Sequence, residues 1–168
     1  MKLRFRGPEP AFHLVLVNPE IPQNTGNIAR LCAATGCALH LVGELGFSTD
    51  EKAVRRAGLD YWHLVRVTEH PELDSCLASI GEREPLLFTA NTHRSYRTAR
   101  FRPGATLIFG GESQGLPDPI IAAHEPRSYA IPTRPGSVRS LNLANAAAVV
   151  VYEGLRTIGS LDDMITES

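Results

Sequence analysis

The chain has 168 residues, enough for one domain with a real core. Hydrophobic residues make up 43% and charged residues 21%, as in ordinary soluble globular proteins. A formal net charge of −1 excludes a globally basic surface, so a nucleic-acid or membrane partner has to be met by a local patch.

The first apolar run, 12–17, stops at Asn18-Pro19. It is too short to span a membrane and has no signal-peptide cleavage pattern. From there the apolar runs predict strands over 12–17, 38–42, 64–67, 86–90, 106–109 and 129–131. Helical patterns fall over 25–35, 50–57, 71–79, 117–123 and 141–157. Nearly continuous apolar strands alternating with helices describe an α/β protein, with a mostly parallel sheet covered on both faces. Ligands of such sheets lie outside the carboxyl ends of the strands, so the loops 18–24, 91–97, 110–117 and 132–139 carry the functional expectation. The polar tail after Gly159 is expected to fray.

Cys32, Cys37 and Cys76 lie in apolar patterns and are odd in number. They read as buried free thiols of a reducing cytosol, which implies a cytoplasmic protein. The spacing of Cys32 and Cys37 does not suit zinc, the six histidines are scattered without a close pair, and no metal site is expected.

The loop 18–24 contains two prolines, and Asn24 or Thr25 can cap the helix behind it. Arg30 follows inside that helix. It offers either a surface ion pair or a guanidinium aimed at a phosphate or a forming oxyanion. No Gly-x-Gly-x-x-Gly follows the first strand, and Leu116-Pro117 replaces the Lys-Ser/Thr of a phosphate loop. Gly111-Glu112-Ser113-Gln114-Gly115 matches a serine nucleophile elbow. Prolines follow it, however, and the only later histidine, His124, is too close to Asp118 for the two to complete a triad around Ser113. A glycine turn whose main chain approaches a flat ligand is the better reading. Near the end, Arg139-Ser140-Leu141-Asn142-Leu143-Ala144-Asn145-Ala146 puts two asparagines on one helix face. They read as ligand contacts, or as ties for a loop beside a helix start capped by Ser140.

Three stretches, 18–30, 107–117 and 131–145, occur in order and resemble the three motifs of the SPOUT, or trefoil-knot, RNA methyltransferases. Within that superfamily Arg55-Arg56-Ala57-Gly58-Leu59-Asp60-Tyr61-Trp62 is similar to the TrmL branch, which methylates the ribose 2′-hydroxyl of the wobble nucleotide of tRNA. The chain departs from that branch in having Gly111 where a proline is usual, and in a slightly longer 132–138 loop.

The resemblance implies a deep C-terminal knot and a homodimer whose sites are completed by the partner. It also implies S-adenosylmethionine as cofactor, held by Thr89, Gly110, Ile131, Ser140 and Leu141. The substrate would be the anticodon stem-loop of tRNA(Leu)-type molecules, methylated at cytidine or modified uridine 34. Arg30 would stabilise the forming alkoxide and hold the adjacent phosphate, because a guanidinium is a poor base. Arg139 would grip RNA. Tyr152 would serve as a substrate contact or an interface aromatic. Glu112 would pair with an arginine, and Ala33, Ala147 and Val151 are candidates for either interface or core.

Arg94, Arg97, Arg100 and Arg102, interleaved with Tyr96 and Phe101, supply the local basic patch that RNA needs. Ribosomal RNA or another tRNA position, and a non-catalytic RNA-binding knot domain, remain the alternatives.

Overall fold

A computed structural model describes residues 1–50 and 61–167. The expected helix over 50–57, apart from its first residue, and most of the 55–62 motif lie outside the described residues.

Six parallel strands form the central sheet: β2 (His13–Val17), β3 (Ala38–Val42), β4 (Val67–His70), β5 (Leu86–Phe88), β6 (Thr106–Gly110) and β7 (Ser128–Tyr129). Their order is β4-β3-β2-β6-β5-β7. All five pairings are parallel, and β2 lies in register between β3 and β6, with Val17 opposite both Val42 and Gly110. The central strands are apolar throughout because helices cover both of their faces.

Alternate side chains along each strand serve two cores. Leu14, Leu16, Leu39, Leu41 and Leu107 face α1 (Pro22–Thr35) and α4 (Leu143–Thr157). Val15, Val17, Val42 and Ile108 face α2 (Leu73–Ile80), with Ile120 and Ile121 of α3 (Asp118–Ala123) packed beside them.

Helix α1 begins at Pro22, where the missing N–H costs nothing, and ends at Gly36, whose φ of +70° closes the helix in a left-handed cap. In α4, Ala147, Val150, Val151 and Leu155 recur at helical spacing and are wholly buried. Each of the three larger side chains contributes roughly 1.5–3 kcal/mol by burial. Ala147 and Val151 are therefore core residues and not interface candidates. At Gly154 an added Cβ would lie 2.8 Å from Phe12 and 2.9 Å from Phe101, so the glycine lets α4 settle on those rings.

Four expectations need correction. β4 lies three residues later than predicted, because Trp62–Leu64 forms a 3₁₀ turn and the strand itself is a polar, exposed edge. Helix α1 starts before Asn24 and Thr25, so neither caps it. The tail does not fray: Met164–Glu167 (β8) pairs antiparallel with Lys2–Phe5 (β1) in a separate two-stranded ribbon. The histidines are not scattered in space, since His13, His40 and His70 line up across neighbouring strands. The three cysteines are free and buried as expected. Burial raises the Cys32 and Cys37 thiols and pushes Cys76 up to about 11. Among the described residues no helix is long and apolar enough to cross a membrane.

Candidate active site

A cleft of about 390 Å³ opens at the carboxyl ends of the strands, the position expected for ligands of an open parallel sheet. Its floor is the end of β6. At Gly110 an added Cβ would lie 2.1 Å from the Gly115 carbonyl carbon, and at Gly111 it would lie 2.4 Å from the Asn18 carbonyl oxygen. Only glycine allows these main chains to touch. The cleft wall is thereby left as bare backbone, with a glycine turn closed by the Gly115 N–H on the Gly111 carbonyl at 2.9 Å.

Thr89, Gly110, Ile131, Ser140 and Leu141 all line this cleft, and Arg139 stands at its exposed rim. Residues from the ends of β5 and β6 and from the long loop between β7 and α4 thus meet in one place. Arg30 and Tyr152 do not line it. Arg30 is exposed on α1, its guanidinium 4.9 Å from the centre of the Tyr61 ring. Tyr152 is 46% exposed on α4, next to the similarly uncovered Val149.

The three motif loops are bound to one another by one acidic side chain and two amides. Glu112 accepts hydrogen bonds from the Glu20 N–H at 2.8 Å, the Ile21 N–H at 3.1 Å and Asn24 Nδ2 at 3.0 Å. Asn24 Oδ1 accepts from Asn142 Nδ2 at 3.0 Å. Asn142 Oδ1 in turn accepts from the N–H groups of Ala144 and Asn145 and caps α4. Glu112 therefore locks the first loop, and among the described residues it pairs with no arginine. Asn142, rather than Ser140, is the cap, while Asn145 contributes only its backbone to this network. A helix-cap role for Asn24 is the simpler expectation from sequence, and the one sequence signal for Glu112 is a lone acid within the Gly111–Gly115 turn.

Ser113 is no nucleophile. Its hydroxyl and N–H both donate to Glu20, at 2.7 and 3.1 Å. These bonds hold the Glu20 carboxyl below its ordinary pKa. Among the arginines of the 94–102 segment, Arg94 is paired with Glu125 at 2.6 Å and Arg102 with Glu82 at 2.5 Å. Arg97 and Arg100 are exposed. Phe101 packs against Phe12 and Phe88 in the core, which removes it from base stacking.

Residues 11–152 match the SpoU rRNA Methylase family. The chain belongs to that family. A curated relative from Polaromonas sp., named tRNA (cytidine(34)-2'-O)-methyltransferase, is 47% identical over 88% of this chain and 92% of its own. One of the same name from Acidovorax sp. is 46% identical over 86% and 91%. A solved structure described as giving structural insights into the 2-OH methylation of C/U34 on tRNA superposes with a TM-score of 0.78. It is 45% identical and covers 87% of this chain and 95% of the other. In this SpoU-family chain the family match runs from the strand behind the first loop to Tyr152 on α4, so it takes in every loop of the cleft.

Proposed function

We propose that this protein is a tRNA 2′-O-methyltransferase that transfers the methyl group of S-adenosylmethionine to the ribose 2′-hydroxyl of nucleotide 34. The observation that carries the reading is the convergence of Thr89, Gly110, Ile131, Ser140 and Leu141 in one backbone-lined cleft, in a chain whose relatives of 46–47% identity bear that name.

The donor set fits the cofactor. Exposed main-chain groups around Gly110 and Gly115 can take the edge of an adenine, Leu116 and Ile131 offer apolar surface to its faces, and Ser140 adds a hydroxyl. When bound, S-adenosylmethionine supplies an electrophilic methyl on a sulfonium, so the protein has only to align an oxygen in line with it and ease the loss of a proton. The Glu112–Asn24–Asn142 chain holds the three loops at fixed spacing, which is the alignment part of that task. Arg139 at the rim is placed to hold an RNA phosphate.

Arg30 and Tyr152 face outward from α1 and α4, and we assign them to a homodimer in which a second copy brings them to the reacting ribose. Exposed Val149 and Tyr152 on α4 and Ile21 before α1 supply apolar surface for that contact. The remaining assignments are a single domain over 1–168, a deep C-terminal knot closed by residues 139–146, and work in the cytoplasm on the anticodon stem-loop.

The test is methyl transfer from labelled cofactor to bulk tRNA, followed by mapping of the modified nucleotide. Label at the 2′-oxygen of position 34 is the expected result. Label at another tRNA position, or no transfer at all, overturns it.

A further inference from the structure

Parallel register sets three imidazoles in a diagonal row. His13 lies opposite Ala38 on the neighbouring strand, His40 is two residues beyond Ala38, and His70 lies opposite Val42, two residues further on. Side chains alternate along a strand, so all three stand on one face, the one covered by α2. His13 Nδ1 is 3.0 Å from His40 Nε2, and His40 Nδ1 is 3.0 Å from His70 Nε2. Cys76, wholly buried on α2, brings its thiol to the same place. The ligand atoms of His40, His70 and Cys76 all lie within 4.8 Å of one another, and none of the three residues lines the cleft.

We propose that His40, His70 and Cys76 form a binding site for a zinc ion, with His13 as the partner that orients His40.

Two imidazoles and a thiolate are the ligand set that suits zinc among divalent ions. Two zinc–nitrogen bonds of ~2.0–2.1 Å at a tetrahedral angle span ~3.3–3.4 Å. The His40–His70 gap therefore has to open by only a few tenths of an ångström. Binding breaks the Cys76 S–H bond, forms a zinc–sulfur bond and releases one proton. The hydrogen between His40 Nδ1 and His70 Nε2 shifts to the far nitrogen of the ring that carries it, which leaves both zinc-facing nitrogens bare; His40 Nε2–H then donates to Nδ1 of His13, whose own hydrogen lies on Nε2. Metal-bound histidines are usually held by such an outward hydrogen bond, which fixes ring and tautomer. Half-exposed His70 gives the ion its approach from solvent. The bound ion would fasten β4, the edge of the sheet, to β3 and to the helix that follows it.

The experiment uses the full-length protein after chelator dialysis, titrated with Co²⁺ and then with Zn²⁺. The expected result is one Co²⁺ per chain with a thiolate-to-cobalt charge-transfer band and tetrahedral ligand-field bands, all displaced by an equivalent of Zn²⁺. Cys76→Ser should abolish the charge-transfer band although Cys32 and Cys37 remain. His70→Gln, on the exposed edge strand where misfolding is least at issue, should weaken binding at least ~10-fold, and His13→Gln about 10–100-fold. Circular dichroism checks that each variant is folded. A wild-type protein without the charge-transfer band, a band that survives Cys76→Ser, or a Co²⁺ affinity that His70→Gln leaves unchanged overturns the proposal. Methyl transfer is not the readout, so this site stands or falls apart from the cleft.

Discussion

Asn142 donates from Nδ2 to Oδ1 of Asn24 at 3.0 Å, joining residues 118 positions apart in the chain. The same side chain caps α4 with its oxygen, so one amide serves a local task and a long-range one. An aspartate in its place would keep the cap, because Asp and Asn cap equally well, but it would set a carboxylate oxygen against Asn24 Oδ1. Flipping the Asn24 amide only moves the clash to Glu112. Asn142→Asp is therefore expected to weaken S-adenosylmethionine binding by ~10-fold or more, the cost of one unpaired polar contact. Calorimetric titration measures it, and wild-type affinity would show that the tie is irrelevant to the cleft.

Ser113→Ala removes the hydroxyl that donates to Glu20 but leaves the backbone N–H of residue 113 on the same carboxylate. Methyl transfer should fall no more than a few-fold, since an exposed hydrogen bond of this kind is worth ~0.5–1.5 kcal/mol. A loss comparable to that of a nucleophile would revive the elbow reading of residues 111–115.

Arg30 lies outside the cleft, so its loss should separate catalysis from cofactor binding. Arg30→Ala is expected to lower kcat by roughly 10²–10³-fold, as removal of an oxyanion-stabilising group does. The affinity for S-adenosylmethionine should not change. A matching loss of cofactor affinity would place Arg30 in the cofactor site instead.

Within the basic segment the ion pairs divide the arginines. Arg94 and Arg102 are engaged with Glu125 and Glu82, whereas Arg97 and Arg100 are exposed. Arg97→Ala with Arg100→Ala should weaken tRNA binding and make its salt dependence shallower, because fewer counterions are released. An unchanged salt slope would move the RNA surface elsewhere.

Glu82 is 2% exposed at its side chain. It accepts from Arg102 Nη2, from the N–H groups of Arg83 and Glu84, and from the Thr106 N–H at 3.1 Å. Burial raises its pKa, but these donors outweigh burial and hold it below the ordinary 4.5. A depressed carboxyl contributes stability above its unfolded pKa and loses it as pH falls through the folded value. Glu82→Gln should therefore cost on the order of 1–3 kcal/mol at neutral pH, typical for hydrogen bonds to a charged group. It should also flatten the loss of stability below about pH 4.5. Denaturant melts across pH test this, and parallel acid profiles for the two proteins would remove Glu82 from the account.

Much of the architecture was legible along the chain because it rests on local signals. The central strands are apolar over four or five residues, and α4 repeats its buried face at 147, 150–151 and 154–155. The strand-end loops had to hold any ligand of a parallel sheet, and the five residues carried over from the family resemblance do line one cleft. Where alternation with charge blurs the pattern, as in Val67–His70 at the sheet edge and Lys2–Phe5 in the ribbon, the strands were misplaced or unseen. Their pairing supplies what their composition lacks, and β1 finds its partner at the opposite end of the chain.

The contacts between distant side chains are of another kind. Nothing in the neighbourhood of Glu112 tells that its carboxylate will meet the N–H groups of residues 20 and 21, and nothing near His13 tells that His40 will stand 3.0 Å from it. Hydrophobic periodicity records which face of an element is buried. It holds no information on which buried faces come together, because that depends on strand order and register, which are properties of the packed chain. The strands, the helices and the ligand-bearing loops were therefore readable from local residues. The lock between the motif loops and the imidazole row came into being only when β2, β3, β4 and β6 were set side by side.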